Sequence, residues 1–262
     1  MSDRHIPRKR FGQHFLIDAS IIEHIIQAID PATHRSLVEI GPGRGALTLP
    51  LLEYGIDMHL IEIDRDLVQW WRQRQREGYR ITVHEADVLA FDFKQLGSPA
   101  HPIHLIGNLP YNISTPLFFH LIDFHPIIAT MCFMVQKEVA DRICAEPGQK
   151  SYGQLSVWLQ LHYQVEKLFD VLPRCFSPPP KVDSSVIRLQ PHTRPPVAID
   201  DNARFHEFIK AAFTQKRKTL RNNLKNLLSV EQIETAGIDP GRRAETLSLA
   251  EFAVLYKQLE SN

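Results

Sequence analysis

An α/β fold, with a mostly parallel sheet followed by a small all-helical domain, is what three features of this sequence predict. Short apolar runs alternate with helical stretches through the first half of the chain. A glycine-rich turn follows the first clear apolar strand. Beyond the proline-rich segment Pro191–Asp200 every pattern is helical.

The elements follow in order. "SIIEHIIQAI" places Glu23 and His24 at helical spacing among isoleucines and reads as an amphipathic helix. Leu37–Ile40, Met58–Ile63, Ile81–Glu85, Ile103–Ile106 and Thr130–Val135 are short apolar runs of strand length. Between them, Ala46–Glu53, Asp66–Glu77 and Thr115–Asp123 read as helices, the last with Thr115 as N-cap and Pro116 as its first residue. Strands separated by helices make βαβ units and hence parallel pairing. After Lys137 the rhythm changes, with helices at Glu138–Ala145 and Gln154–Tyr163. Two late strands, Gln164–Phe169 and Ser185–Leu189, are joined by "LPRCFSPPPKVDS" without a helix, which predicts an antiparallel hairpin at the sheet edge. The count comes to seven strands. The proline-rich linker sets the expected domains at residues 1–195 and 196–262.

Composition narrows the class. The chain has 262 residues, 44% of them hydrophobic, enough for a substantial core, and its formal net charge is zero. Any contact with nucleic acid must then rest on local charge. Cys132, Cys144 and Cys175 show no CxxC spacing, which argues against a zinc site or a disulfide framework and fits a reducing compartment. No apolar run is long enough to span a bilayer, and the basic start "MSDRHIPRKRF" is not followed by a signal-type stretch. A cytoplasmic protein, monomeric and without membrane contact, is expected. His101 and His104 at a strand entrance read as structural, and no metal is expected.

"VEIGPGRGALT" sets Gly41, Gly43 and Ala46 at G-x-G-x-x-G/A spacing behind a strand, where the backbone can approach a ligand and a helix start offers N–H groups. Glu62 follows about 20 residues on, at the end of the next strand, placed to accept from ribose hydroxyls. NAD and S-adenosylmethionine both carry such a ribose. Asp87, after the third strand, could accept from an adenine amine while the Val88 amide approaches a ring nitrogen. The competing reading is an N-cap. Gly41, Glu62, Asp87 and Asn108 all fall at carboxyl ends of strands, where open α/β sheets bind ligands.

"GNLPYNIST" ends the fourth strand. An exocyclic adenine amine is a poor nucleophile because its lone pair is delocalised into the ring. Two acceptors on its N–H bonds would orient it and favour a pyramidal nitrogen. The side-chain oxygen of Asn108 can be one, and the carbonyl of Leu109 or Pro110 the other. Tyr111 offers a face for stacking, and the loop is suited to an extruded adenine.

These stretches resemble the KsgA/RsmA family of ribosomal RNA adenine dimethyltransferases. The resemblance runs through "RKRFGQHFL" (Arg8–Leu16), "VEIGPGRGALT" (Val38–Thr48), "IEIDRDL" (Ile61–Leu67) and "GNLPYNISTPL" (Gly107–Leu117). It continues in "FMVQKEVADR" (Phe133–Arg142), "FSPPPKVDSSVIRL" (Phe176–Leu189) and "QKRKTLRNNL" (Gln215–Leu224). It implies a class I S-adenosylmethionine-dependent methyltransferase sheet of Rossmann-like form. It also implies dimethylation at N6 of two adjacent adenosines in the 3′-terminal hairpin loop of 16S rRNA, and a part in late small-subunit biogenesis. Cofactor roles carry over onto Gln13, His14, Leu16, Gly41, Gly43, Glu62, Asp87, Val88 and Asn108. His14 stands where some members have Asn.

"KAAFTQKRKTLRNNLK" holds Lys216, Arg217, Lys218 and Arg221 with no acid among them, and Arg217 and Arg221 are spaced i, i+4 for one helix face. Arg8, Lys9 and Arg10 form a second basic cluster. Both are candidates for rRNA phosphate contacts. Phe205, Phe208, Phe213, Leu220, Leu224 and Leu227 are expected in the core of the tail. The readings that compete are a large-subunit rRNA adenine methyltransferase and a ribosome-assembly factor that acts chiefly by docking. A nicotinamide oxidoreductase would share the glycine turn without needing Asn108–Tyr111.

Overall fold

The computed structural model describes residues 13–259. Two compact units are bounded as Met1–Ala140 with Glu166–Pro191, and Asp141–Val165 with His192–Asn262.

The first unit is built on a seven-stranded sheet. Its strands are β2 (Ser36–Ile40), β3 (Asp57–Glu62), β4 (Ile81–Glu85), β5 (Ile103–Asn108), β6 (Ile128–Gln136), β7 (Tyr163–Val171) and β9 (Ser184–Pro191), in the order β4-β3-β2-β5-β6-β9-β7. Pairings from β4 through β6 are parallel, and β9 runs antiparallel to β6. The order reverses at β2, between β3 and β5, the topological switch where such sheets open a crevice. Leu37, Val38, Glu39 and Ile40 of β2 are all buried, as a strand covered on both faces requires. A separate two-stranded ribbon pairs β1 (Phe15–Leu16) with β8 (Phe176–Ser177), Phe15 opposite Ser177. Sequence alone did not pair these segments, which lie some 160 positions apart.

Helices α1 (Ala19–Ile29), α2 (Thr48–Leu52), α3 (Arg65–Arg76), α4 (Ser114–Ile122) and α5 (Lys137–Ile143) connect the strands. Asp18 caps α1 through the Ser20 and Ile21 amides, and Asp64 caps α3 through the Asp66 amide. Two expected helix starts are corrected. α2 begins at Thr48, not Ala46, because the residues before it form turns around left-handed glycines. α4 begins at Ser114, with Ile113 rather than Thr115 in the capping position. The helix starts two residues early, and the Ser114 hydroxyl bonds back to Pro110 O at 3.0 Å.

The second unit holds α6 (Gln154–His162), α7 (Asn202–Ala212), α8 (Leu220–Asn223), α9 (Val230–Thr235) and α10 (Leu249–Lys257). It differs from the expected span 196–262 by including Asp141–Val165. Trp158 of α6 stacks on His206 of α7 with ring centroids 4.5 Å apart, and Phe205 meets Tyr256 edge-on at 5.2 Å. Gln160 ties α6 back to the Ile143 and Ala145 carbonyls. These non-local contacts place α6 with the tail. Phe205, Phe208, Leu220 and Leu224 are buried as expected, whereas Leu227 is exposed. No helix among the described residues is long and apolar enough to cross a membrane.

Candidate active site

The glycine turn leaves β2 at Gly41. Gly41, Gly43 and Gly45 all have left-handed backbones (φ +66°, +55° and +84°), so three of five successive residues favour glycine. The turn is held from beneath by β3, whose Ile61 carbonyl accepts from Gly41 N at 2.9 Å.

Glu62 ends β3 under this turn. It is 6% exposed, and its Oε1 accepts from the Ile63 and Asp64 amides at 2.9 and 2.8 Å. Burial pushes its carboxyl above the ordinary range, opposed by those amides and by the Gly43 amide. Asp64 receives Gln13 Nε2 at 3.1 Å. Glu39, one strand over, is still more enclosed at 2% exposure and accepts from the Thr48 hydroxyl at 2.6 Å. Burial raises its pKa to about 7, with the nearby Glu62 adding to the rise. An acid inside the apolar run Leu37–Ile40 was the available signal for Glu39, which sequence reasoning passed over as a strand residue.

Asn108 ends β5, the strand parallel to β2. Here two backbones meet closely: a Cβ at Gly107 would lie 2.5 Å from Ile40 O, so only glycine lets β5 exit beside the Gly41 turn. Asn108 Nδ2 donates one N–H to His14 O at 3.0 Å, which orients the amide with its oxygen on the other side. Leu109 N donates to Met134 O on β6. The Pro110 carbonyl accepts from Ile113 N and Ser114 Oγ, so both its lone pairs are engaged. Of the two carbonyls considered from sequence, Leu109 O is therefore the available one. Tyr111 Oη lies 2.7 Å from Ser184 Oγ, and the Tyr111 ring stacks against His14 at 5.5 Å with 25° between planes. His14 Nδ1–H in turn donates to Pro178 O at 2.7 Å. One residue thus positions both loop side chains, Asn108 by its carbonyl and Tyr111 by its ring. Burial raises the Tyr111 pKa, so the phenol is neutral at physiological pH.

One cleft of about 750 Å³, measured out to open solvent, is lined by Gln13, His14, Leu16, Gly41, Gly43, Glu39, Glu62 and the loop Asn108–Tyr111. The glycine turn and the asparagine loop share one site. A second pocket of about 720 Å³ shares Gly41 and Pro110 with it and is lined by Ile63, Asp87, Val88 and Ile113. Asp87 does serve as an N-cap, accepting from Leu89 N at 3.0 Å, and also faces this pocket. The two readings of Asp87 are compatible.

Lys216, Arg217, Lys218 and Arg221 belong to the second unit and are exposed. They do not form one helix face. α7 ends at Ala212, residues 213–218 are turns and bends, and Thr219 is extended ahead of α8. Lys216 Nζ donates to Lys150 O at 2.6 Å, which draws this segment onto the loop before α6. Arg8, Lys9 and Arg10 lie outside the described residues. Among the described residues no group of three His, Cys, Asp or Glu could hold a metal ion.

Comparison with known proteins adds an independent line. A family model described as ribosomal RNA adenine dimethylase matches residues 4–261. The ribosomal RNA small subunit methyltransferase A of Methylococcus capsulatus is 50% identical over 256 residues, covering 98% of this chain and 99% of that protein. Its counterpart in Alcanivorax borkumensis is 49% identical over 251 residues, 96% and 89% of the two chains. Among solved structures, a dimethyladenosine transferase from Plasmodium falciparum superposes with TM-score 0.77 at 27% identity, over 92% of this chain and 96% of that one.

Proposed function

The chain belongs to the ribosomal RNA adenine dimethylase family, and from that premise we propose that it transfers methyl groups from S-adenosylmethionine to N6 of two adjacent adenosines in the 3′-terminal hairpin loop of 16S rRNA. The product is N6,N6-dimethyladenosine, and the partner is the small ribosomal subunit late in its assembly, in the cytoplasm. The observation that carries this reading is the shared cleft of the Gly41 turn and the Asn108 loop.

The residues present fit the cofactor. Glu62 is a nearly enclosed acid beside the turn, suited to vicinal ribose hydroxyls. Ile63, Val88 and Ile113 make a mostly apolar slot with Asp87 at its edge, suited to a purine carrying an exocyclic amine. Gln13, His14, Leu16, Gly41 and Gly43 line the remainder. When bound, the cofactor supplies an electrophilic methyl on a sulfonium sulfur.

What this chain's residues contribute is alignment. In the first transfer Asn108 Oδ1 and Leu109 O accept the two N–H bonds of the target amine, fixing its orientation and freeing its lone pair; in the second the monomethylated amine has one N–H and keeps one of these acceptors. Pro110 stiffens the loop, and the Tyr111 face opposite His14 receives the base, worth roughly 1–3 kcal/mol. Acceptors fixed before the substrate arrives need no reorganisation during transfer. Lys216, Arg217, Lys218 and Arg221, with Arg8, Lys9 and Arg10, hold rRNA phosphates without reading sequence.

Incubation with labelled S-adenosylmethionine and unmodified small subunits, followed by nucleoside analysis, tests the assignment. Labelled dimethyladenosine in small-subunit rRNA is expected; label confined to large-subunit rRNA, or none, refutes it. Changing Arg217 and Arg221 to Ala should weaken particle binding and flatten its salt dependence. An unaltered slope removes those residues from the interface.

A further inference from the structure

Trp71 has no part in the roles assigned above, yet it touches the turn that shapes the cofactor cleft. It lies on α3 and is 0% exposed. Its indole Nε1–H donates to the Gly43 carbonyl at 3.0 Å. Its six-membered ring fills the space beside Gly45, where an added Cβ would stand 2.8 Å from Trp71 Cη2. Gly43 is thus held by its carbonyl, and Gly45 is packed against the same indole.

A left-handed glycine has several backbone states of similar energy, so something must select the one the ligand needs. A carbonyl turned into the cleft would set a negative dipole where amide N–H groups are required, and the Trp71 donor holds it turned the other way. The neighbouring Trp70 makes an informative contrast. It packs edge-on against Trp71 at 4.6 Å, with the Arg74 guanidinium 3.2 Å above its ring. Neither contact reaches the glycine turn.

We propose that Trp71 is a positioning residue for cofactor binding: its indole N–H and ring select the left-handed Gly43–Gly45 conformation that S-adenosylmethionine and S-adenosylhomocysteine require. The inference rests on the reading of the cleft as an S-adenosylmethionine site.

The test uses the full chain and S-adenosylhomocysteine as the calorimetric probe. Trp71→Phe keeps an aromatic ring and removes the donor. It should weaken binding about five-fold, the scale of one hydrogen bond, while Trp70→Phe leaves the affinity unchanged. With intact small subunits, Trp71→Phe should raise KM for S-adenosylmethionine by a similar factor and leave KM for the particle unmoved, a split that a general loss of packing would not produce. The wild-type protein gives a second readout that needs no variant to fold. Of its three tryptophan indole N–H resonances, assigned sequentially in the wild type, that of Trp71 should shift on titration more than that of Trp70. Equal affinity for wild type and Trp71→Phe, equal rises in both KM values, or a Trp71 resonance that does not move would each overturn the proposal. Absence of binding by the wild type would instead refute the underlying reading of the cleft.

Discussion

The Gly41–Gly45 turn and the Asn108–Tyr111 loop sit side by side at the carboxyl ends of β2 and β5, and they are built on opposite principles. The turn works through its backbone: its conformation is left-handed at three glycines, and its partners are the Ile61 carbonyl and the Trp71 indole. The loop works through side chains, each fixed by a distant segment: Asn108 by His14, Tyr111 by Ser184 and His14. Changes in the turn should therefore show as cofactor affinity or stability, and changes in the loop as turnover.

The largest effect is expected at Asn108. Asn108→Ala removes an aligned acceptor and should lower turnover roughly a hundred- to a thousand-fold, the range for loss of one preorganised polar group. Particle binding should survive, as measured by co-sedimentation with small subunits. Lost binding with intact turnover per bound particle would reverse the division between loop and turn.

Glu39 sharpens the contrast, because its effect should be on stability. Its folded pKa of about 7 stands above the ordinary 4.5. The folded state therefore holds a proton that the unfolded chain gives up, and stability falls as pH rises between those values. The loss is about 3 kcal/mol across the interval at 1.36 kcal/mol per pH unit. Glu39→Gln keeps an acceptor for Thr48 and should flatten that slope in denaturant titrations. An unchanged slope would mean Glu39 stays ionised.

Gly43→Ala tests the backbone side directly. Its left-handed φ and a Cβ 3.1 Å from the Phe15 ring should together cost about 1–2 kcal/mol, read as weaker S-adenosylhomocysteine binding by calorimetry. A fall in turnover without a change in affinity would break the comparison.

The smallest effect belongs to Tyr111→Phe. The ring keeps its face and loses the bond to Ser184, so turnover should drop only about five-fold. Ser184→Ala should match it, and the double variant should lose no more than either alone. Tyr111→Ala should lose far more, because the stacking surface itself disappears.

The strands were legible because buried parallel strands leave short apolar runs. Ile81–Glu85 coincides with β4, and β5 and β6 extend the expected runs by two or three residues. Part of the cleft was legible too: Gly41, Glu62 and Asn108 at strand ends line it, while Asp87 lines the adjoining pocket. What escaped was non-local. Nothing near Trp158 announces His206 as its stacking partner, and the compact unit that holds both leaves no local pattern. The β1–β8 ribbon, the Ser184 anchor and the Trp71 donor likewise join segments with no shared local pattern. At Arg217 the i, i+4 spacing of basic residues crosses a stretch where the chain turns.

One N–H of the Asn108 amide is held by the His14 carbonyl, which turns the nitrogen toward that segment and the side-chain oxygen away from it. Guanine and hypoxanthine carry a carbonyl at C6, and its lone pairs would meet those of Asn108 with no proton between them. With the oxygen facing the base, a hydrogen bond placed away from the reacting atoms would favour an aminopurine over an oxopurine in the loop.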